Sequence, residues 1–180
     1  DREALAWCVG RIGAESGALR QAAEALSLYA GRNGRLTLGD CMAALGDQGS
    51  ASVQDAVDAA LTGDIAGADR ALGLAIEEGA APIGIIRVLL SELGRLRLLA
   101  YAVAGGASAR DAVSALRPPV FFRRAPILTR AASIWREKTV ADAIAAALHA
   151  EAACKQAAAP AETICRQIIL DLARRIAKQN

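Results

Sequence analysis

The sequence predicts an all-α protein in two parts, a small three-helix module followed by a helical bundle. Three observations carry that prediction. The chain of 180 residues is 54% hydrophobic but only 3% aromatic. Its apolar content is therefore alanine and leucine, both strong helix formers, while the aromatics and threonine that favour strands are sparse. Apolar residues recur at steps of three and four, the period of a helix face. Serine, threonine, glycine and proline fall where helices start and stop.

Residues 1–13 carry early acidic residues and Leu5, Trp7, Cys8, Val9 and Ile12 at helical spacing, which predicts a first amphipathic helix. Ser16 is placed to cap a second, with Leu19, Ala22, Ala23, Leu26 and Tyr29 or Ala30 facing inward, and Gly31 ends it. Gly31 to Arg35 reads as a tight basic turn. Thr37 caps a short third helix running to Leu45, with Asp40 completing a capping-box-like pair. These elements make the module of residues 1–46. The polar, glycine-containing stretch at 47–51 reads as a linker, and the second domain is expected at 52–180.

Ser52 is expected to cap the first helix of a hairpin, broken at Gly63-Asp64, whose second helix directs Ile65, Ala68, Leu72 and Ile76 one way and closes at Gly79. Pro82 then opens the longest helical pattern in the chain, Pro82–Ala104. Leu89, Leu93, Leu96, Ala100 and Val103 form its apolar seam, widened by Ile85, Ile86, Leu90 and Leu99. Arg87, Ser91 and Arg95 leave only a narrow polar stripe. At 1.5 Å per residue this helix is about 35 Å long, and it reads as the central helix of the bundle.

Gly105-Gly106 ends it, Ser108 caps a short helix, and Pro118-Pro119 stops that one. Val120 to Trp135 reads as one helical turn and a restart after Pro126, with Phe121 and Phe122 plugging one end of the bundle. Thr139 is expected to cap a long alanine-rich helix. Pro160 starts the last helix, where Ile164, Ile168, Leu172 and Ile176 make a stripe. No period typical of a repeat array is present.

Charge and cysteine usage narrow the class. With 21 basic and 19 acidic residues the net charge is +2, so bulk charge announces neither nucleic acid nor membrane. Arg87, Glu92, Arg95 and Arg97 interrupt the most apolar run, which excludes it as a membrane span. Cys8, Cys41, Cys154 and Cys165 lack CxxC spacing and a histidine pair, so no metal is expected. They read as buried thiols in a reducing cytosol, hence a cytoplasmic protein. Asp1 in place of methionine suggests a piece of a longer protein.

Catalytic chemistry is not indicated. His149 has no partner constellation, and Glu77-Glu78 beside Gly79 reads as a solvated helix end. No GxxxxGK[ST] or GxGxxG occurs, so this stretch builds no phosphate loop and no cofactor is expected. Three basic features, Arg32 with Arg35, Arg123-Arg124, and Arg174-Arg175 with Lys178, read as solvated surface because no base-stacking set accompanies them. Arg87, Arg95 and Arg97, on a mostly apolar helix, are the candidate subunit-interface or DNA-proximal residues. Trp7 and Trp135 read as packing residues.

Residues 3–47, 52–102, 117–135 and 147–173, taken in order, resemble the C-terminal two-thirds of the delta-subunit family of bacterial DNA polymerase III, the clamp-loader component related to AAA+ ATPases. The resemblance implies that residues 1–46 are the small helical lid and 52–180 the collar through which subunits associate. It implies a role in DNA replication as a non-catalytic part of the polymerase III holoenzyme, a nucleotidyltransferase. The implied partners are gamma-type and delta-prime subunits, the sliding clamp through an N-terminal domain absent here, and primed DNA through the whole complex, with no membrane. Gly17-Ala18-Leu19-Arg20 resembles the sensor-2 pattern of AAA+ lids. Since delta-type proteins do not use ATP, the resemblance makes Arg20 a vestigial sensor-2-like residue. Two alternatives stand beside it: the lid and collar of an ATP-hydrolysing gamma-type subunit, and an unrelated helical adaptor.

Overall fold

The computed structural model describes residues 4, 5, 8, 16–30, 34–44, 48–117 and 119–179. Among the described residues the chain is 79% helical, without strands, in nine helices, as the composition predicts. They are α1 (Ser16–Ala30), α2 (Leu38–Ala44), α3 (Gln48–Thr62), α4 (Ile65–Glu77), α5 (Pro82–Ala104), α6 (Ala109–Ala115), α7 (Ala125–Ile134), α8 (Glu137–Cys154) and α9 (Ala161–Ala177). The chain divides into two compact units, Asp1–Asp47 with Ser114–Ala125, and Gln48–Val113 with Pro126–Asn180.

In the first unit, α1 packs on α2. Its core is Ala4, Cys8 and Cys41, with Leu26 and Leu36 half-buried against them. Ala4, Leu5 and Cys8 are helical, but Trp7 and most of the expected first helix lie outside the described residues. The inward face of α1 is narrower than its spacing predicts. Ala22, Leu26 and Ala30 turn in, while Leu19, Ala23 and Tyr29 are exposed, because an i, i+4 row is all that the short α2 can cover. The capping of α2 is as predicted and reciprocal. Asp40 N donates to Thr37 Oγ1 at 3.2 Å, and Thr37 N donates to Asp40 Oδ2 at 2.8 Å. The bond from the Thr37 amide is the main reason the Asp40 carboxyl is held below its ordinary pKa.

The second unit begins earlier than its composition suggests. Residues 48–51, expected as linker, form the first turn of α3, and Ser52 is a buried position inside the helix rather than its cap. Val53, Ala56, Val57, Ala60 and Leu61 are all buried. Once that face is anchored, extending the helix backwards adds a hydrogen bond for each residue fixed, even through a glycine and a serine. The hairpin turn to α4 is as predicted. Gly63 adopts φ +80°, and its amide bonds to Ala60 O while Asp64 N reaches Ala59 O. Asp64 caps α4 by accepting from Gly67 N at 2.9 Å. Ala68, Leu72 and Ala75 are buried, but Ile65, the first helical residue, is exposed.

Helix α5 has the predicted bounds, with Pro82 in its first turn. Ile85, Ile86, Leu89, Leu93, Leu96, Leu99 and Ala100 are buried, as is Glu92; Leu90 and Val103 are half-buried. It lies against α8, α9 and α3. The centre of the unit is nevertheless α9, which packs against α3, α4, α5 and α8. Its buried row is Cys165, Ile169, Leu172, Ala173 and Ile176, so Ile164 and Ile168 of the expected stripe sit at its margin. A helix met on four sides is buried along a broader arc than a single i+4 row.

Ser108 caps α6 as predicted, accepting from Asp111 N at 3.1 Å. Pro126 is the second residue of α7, where a missing amide costs nothing. Thr139 does not cap α8. The helix already starts at Glu137, behind an extended Arg136, with the Glu137 carboxylate in the first turn favoured by the positive helix end.

Candidate functional surface

The residues singled out on α5 have separate fates. Arg87 Nε donates to Glu151 Oε1 of α8 at 3.1 Å, and Lys155 reaches the same oxygen at 2.8 Å. Arg87 lies near the start of α5 and Glu151 near the end of α8, so these two long, packed helices run antiparallel. The bonds from Lys155, then Arg87, hold the Glu151 carboxyl below its ordinary pKa. Arg95 turns back on its own helix and pairs at 3.3 Å with the buried Glu92. Arg97 is exposed. The three arginines therefore do not converge on one point.

The exposed face of α5 is wider than a polar stripe. Gly84, Arg87, Ser91, Gly94, Leu98 and Tyr101 are all exposed, at alternating steps of three and four. Leu98 is 63% and Tyr101 72% exposed, so the C-terminal half of this face is apolar. Leu148 of α8, one turn before Glu151, is also exposed. Sequence spacing could have found this row, because 84, 87, 91, 94, 98 and 101 make a heptad-like seam.

The elbow at Phe121–Arg124 also differs from expectation. Arg124 N bonds to Phe121 O at 2.9 Å, closing a turn whose two corner residues are Phe122 and Arg123. Corner residues point away from the chain that the turn reverses. Phe122 is accordingly exposed and plugs nothing. The two phenylalanine rings are tilted with centroids 4.8 Å apart, and the Arg123 guanidinium lies 5.7 Å from the Phe122 centroid. Between Asp111 and Glu137 the sequence has five arginines, Arg117, Arg123, Arg124, Arg130 and Arg136, and no acidic residue. Arg117 spends its donors on the carbonyls of Ser114 and Leu116. This elbow sets an exposed ring beside the Arg123 guanidinium, on a stretch whose arginines read from sequence as plain solvated surface.

Other expected sites remain dispersed. Arg20 is exposed and 3.9 Å from Glu24, a loose surface pair. His149, Glu77 and Glu78 are exposed. Arg35 is exposed, and Arg32 lies outside the described residues. Arg174 pairs with Asp171 and Arg175 with Asp142, which leaves the chain end largely self-compensated. Among the described residues no group of three His, Cys, Asp or Glu could hold a metal ion, and no helix is long and apolar enough to cross a membrane. The four cysteines are free and buried. Burial pushes the Cys8 thiol up to about 11, with Cys41 beside it, and the Cys165 thiol up to about 12. Such thiols are not nucleophiles near neutral pH.

Comparison with family models, with curated proteins and with solved structures yields no match to this chain.

Proposed function

We propose that this chain is a non-catalytic assembly subunit, the lid and collar portion of a delta-type clamp-loader subunit acting in bacterial DNA replication. The observation that carries this reading is the two-sided character of α5. One face supplies much of the core of its own unit, while the other leaves Leu98 and Tyr101 exposed on a rigid helix. An apolar row on a stiff scaffold is suited to a neighbouring subunit. The resemblance in segment order names the neighbours as gamma-type and delta-prime subunits, with Arg97 as a charged residue at the edge of the contact. The Phe122–Arg123 corner adds a place where this part of the ring meets nucleic acid, since an exposed ring beside a guanidinium can stack on a base and hold a phosphate.

Co-expression of the chain with gamma-type and delta-prime subunits tests the reading. The expected result is a co-purifying complex that is lost in Leu98→Glu/Tyr101→Glu while circular dichroism is unchanged. Absence of any complex with the unaltered chain overturns the assignment. A thermal shift on adding ATP separates the gamma-type alternative: no stabilisation is expected here, and a clear one favours an ATP-binding subunit with Arg20 as its sensor.

A further inference from the structure

The four cysteines, scattered along the sequence without a motif, meet in the fold as two pairs, one in each unit. In the first unit Cys8 and Cys41 lie with Ala4 in the core, and their side chains are hydrogen-bonded to each other. Two thiols in hydrogen-bond contact have side chains that converge, which is the geometric condition for a disulfide. The sulfurs have only to pass from that contact to the about 2 Å of a covalent S–S bond. Around them, among the described residues, stand a small alanine and the half-buried Leu26 and Leu36, neighbours that can shift to let the sulfurs close. The second pair is held differently. Cys154 donates its thiol proton to Ala161 O at 3.6 Å, across the turn between α8 and α9. Cys165 is wholly buried on α9, which is packed against four other helices. Joining those two sulfurs breaks a hydrogen bond and twists a helix held on four sides.

The topology says what a bond between Cys8 and Cys41 does. Cys41 lies within α2, and the whole of α1 falls inside the loop that the bond closes. Roughly thirty residues lie in that loop, so closing it removes much of the freedom of the unfolded segment. The effect weighs most in a unit as small as this one, where few apolar side chains are enclosed. The chemistry needs one co-reactant, a hydroperoxide. A thiolate of the pair attacks one peroxide oxygen and the O–O bond breaks. The departing hydroxide takes up the proton which that thiol released, giving water and a sulfenic acid. The second thiolate then attacks the sulfenic sulfur. The S–S bond forms, the S–O bond breaks, and the second proton leaves with hydroxide as another water. Two electrons pass from the sulfurs to the peroxide. At neutral pH the closure is slow, because burial and the adjacent Cys41 push the Cys8 thiol up to about 11 and leave little thiolate.

From this pairing we infer that Cys8 and Cys41 are an oxidisable dithiol, a site at which hydrogen peroxide closes a reversible disulfide that fastens Cys8 to α2 and rigidifies the first unit. This concerns the chain by itself and stands or falls independently of the clamp-loader reading. Prolonged treatment of the 180-residue chain with excess hydrogen peroxide at pH 8 tests it. Peptide mapping without reductant, which keeps any oxidation of Met42 separate, is expected to show one link, between Cys8 and Cys41, with Cys154 and Cys165 still thiols. Amide exchange across residues 16–44 is expected to slow by about 100-fold or more, while that of residues 52–179 is unchanged. Dithiothreitol, which does not reduce methionine sulfoxide, restores the original exchange. Cys8→Ala and Cys41→Ala, each of which keeps an apolar group in the core, abolish both the link and the slowing; Cys154→Ala abolishes neither. Thiols at 8 and 41 that survive the peroxide overturn the inference. So do separate sulfinic acids at the two positions, a link from either one to Cys154 or Cys165, or a link between Cys8 and Cys41 that leaves the exchange of residues 16–44 unslowed.

Discussion

The indole Nε1 of Trp135 donates a 2.8 Å hydrogen bond to the carbonyl oxygen of Leu61, 74 residues away in sequence. Leu61 lies in the last turn of α3, whose final carbonyls have no partner within the helix. Three of them are satisfied differently. Ala59 O accepts from Asp64 N and the Thr62 hydroxyl, and Ala60 O from Gly63 N, which leaves Leu61 O for the indole. Trp135, at 1% exposure, thereby joins the α7–α8 junction to the end of α3 without leaving a polar atom of its own unpaired.

Trp135→Phe removes that donor and leaves the Leu61 carbonyl buried with nothing to bond, besides the volume lost from the ring. The expected cost is about 2–4 kcal/mol, checked by urea denaturation monitored by circular dichroism. A cost near zero would mean that the indole bond is incidental.

Gly63 and Gly73 should respond oppositely to alanine. At Gly63, φ is +80° and a Cβ would lie 2.8 Å from the backbone nitrogen of Ala177, at the end of α9. Strain and overlap act together there, and a loss of about 2 kcal/mol or more is expected. At Gly73, inside α4, a Cβ meets nothing within 4 Å. Alanine there should raise stability by about 0.5–1 kcal/mol through helix propensity. Thermal melts of the two variants decide the comparison.

The Arg87–Glu151–Lys155 cluster should contribute to the acid limb of stability. The folded-state pKa of Glu151 is depressed below the ordinary 4.5. Its contribution is therefore present above pH 4.5 and lost as pH falls through the lower folded value. Glu151→Gln should be less stable than the parent at pH 7, by an amount that shrinks below pH 4.5, as read from denaturant midpoints across pH 3 to 7. A difference that does not change with pH would assign the effect to shape rather than charge.

All four thiols should resist an aromatic disulfide reagent at pH 8 in the native protein, and all four should react in guanidinium. Each is buried, and burial raises Cys8, Cys154 and Cys165 above the ordinary thiol range. Rapid labelling of any one under native conditions would show that its unit opens readily.

At the elbow, Phe122→Ala should weaken binding of a labelled oligothymidylate by about 5- to 100-fold, the worth of one stacked base. Arg123→Ala should weaken it less and flatten the dependence on salt. Anisotropy titrations at two salt concentrations measure both. Equal affinity of Phe122→Ala and the parent would sink a stacking role.

Much of this molecule was legible in local sequence because local rules act within one turn of chain. The Thr37–Asp40 and Ser108–Asp111 caps, the glycine at Gly63 and Gly79, and Pro82 at a helix start each rest on groups within three or four residues, so spacing alone locates them. The full bounds of α5 follow from an apolar period flanked by proline and two glycines. Where two elements competed for a stretch, local rules misjudged it. Residues 48–51 look like linker until the buried face of α3 draws them into the helix, and Thr139 looks like a cap until Trp135 is anchored and Arg136 is left extended.

The sequence by itself determined an all-helical chain, the places where most of its helices turn, and an apolar row on each. Tertiary structure decided what each row meets. It made α9 rather than α5 the centre, tied Arg87 to Glu151 and Arg95 to Glu92, and left Leu98, Tyr101 and Phe122 in water. The reason is physical. Periodicity tells which residues share a face, but burial is a property of two surfaces, and the second one comes from a part of the chain that no local pattern can name.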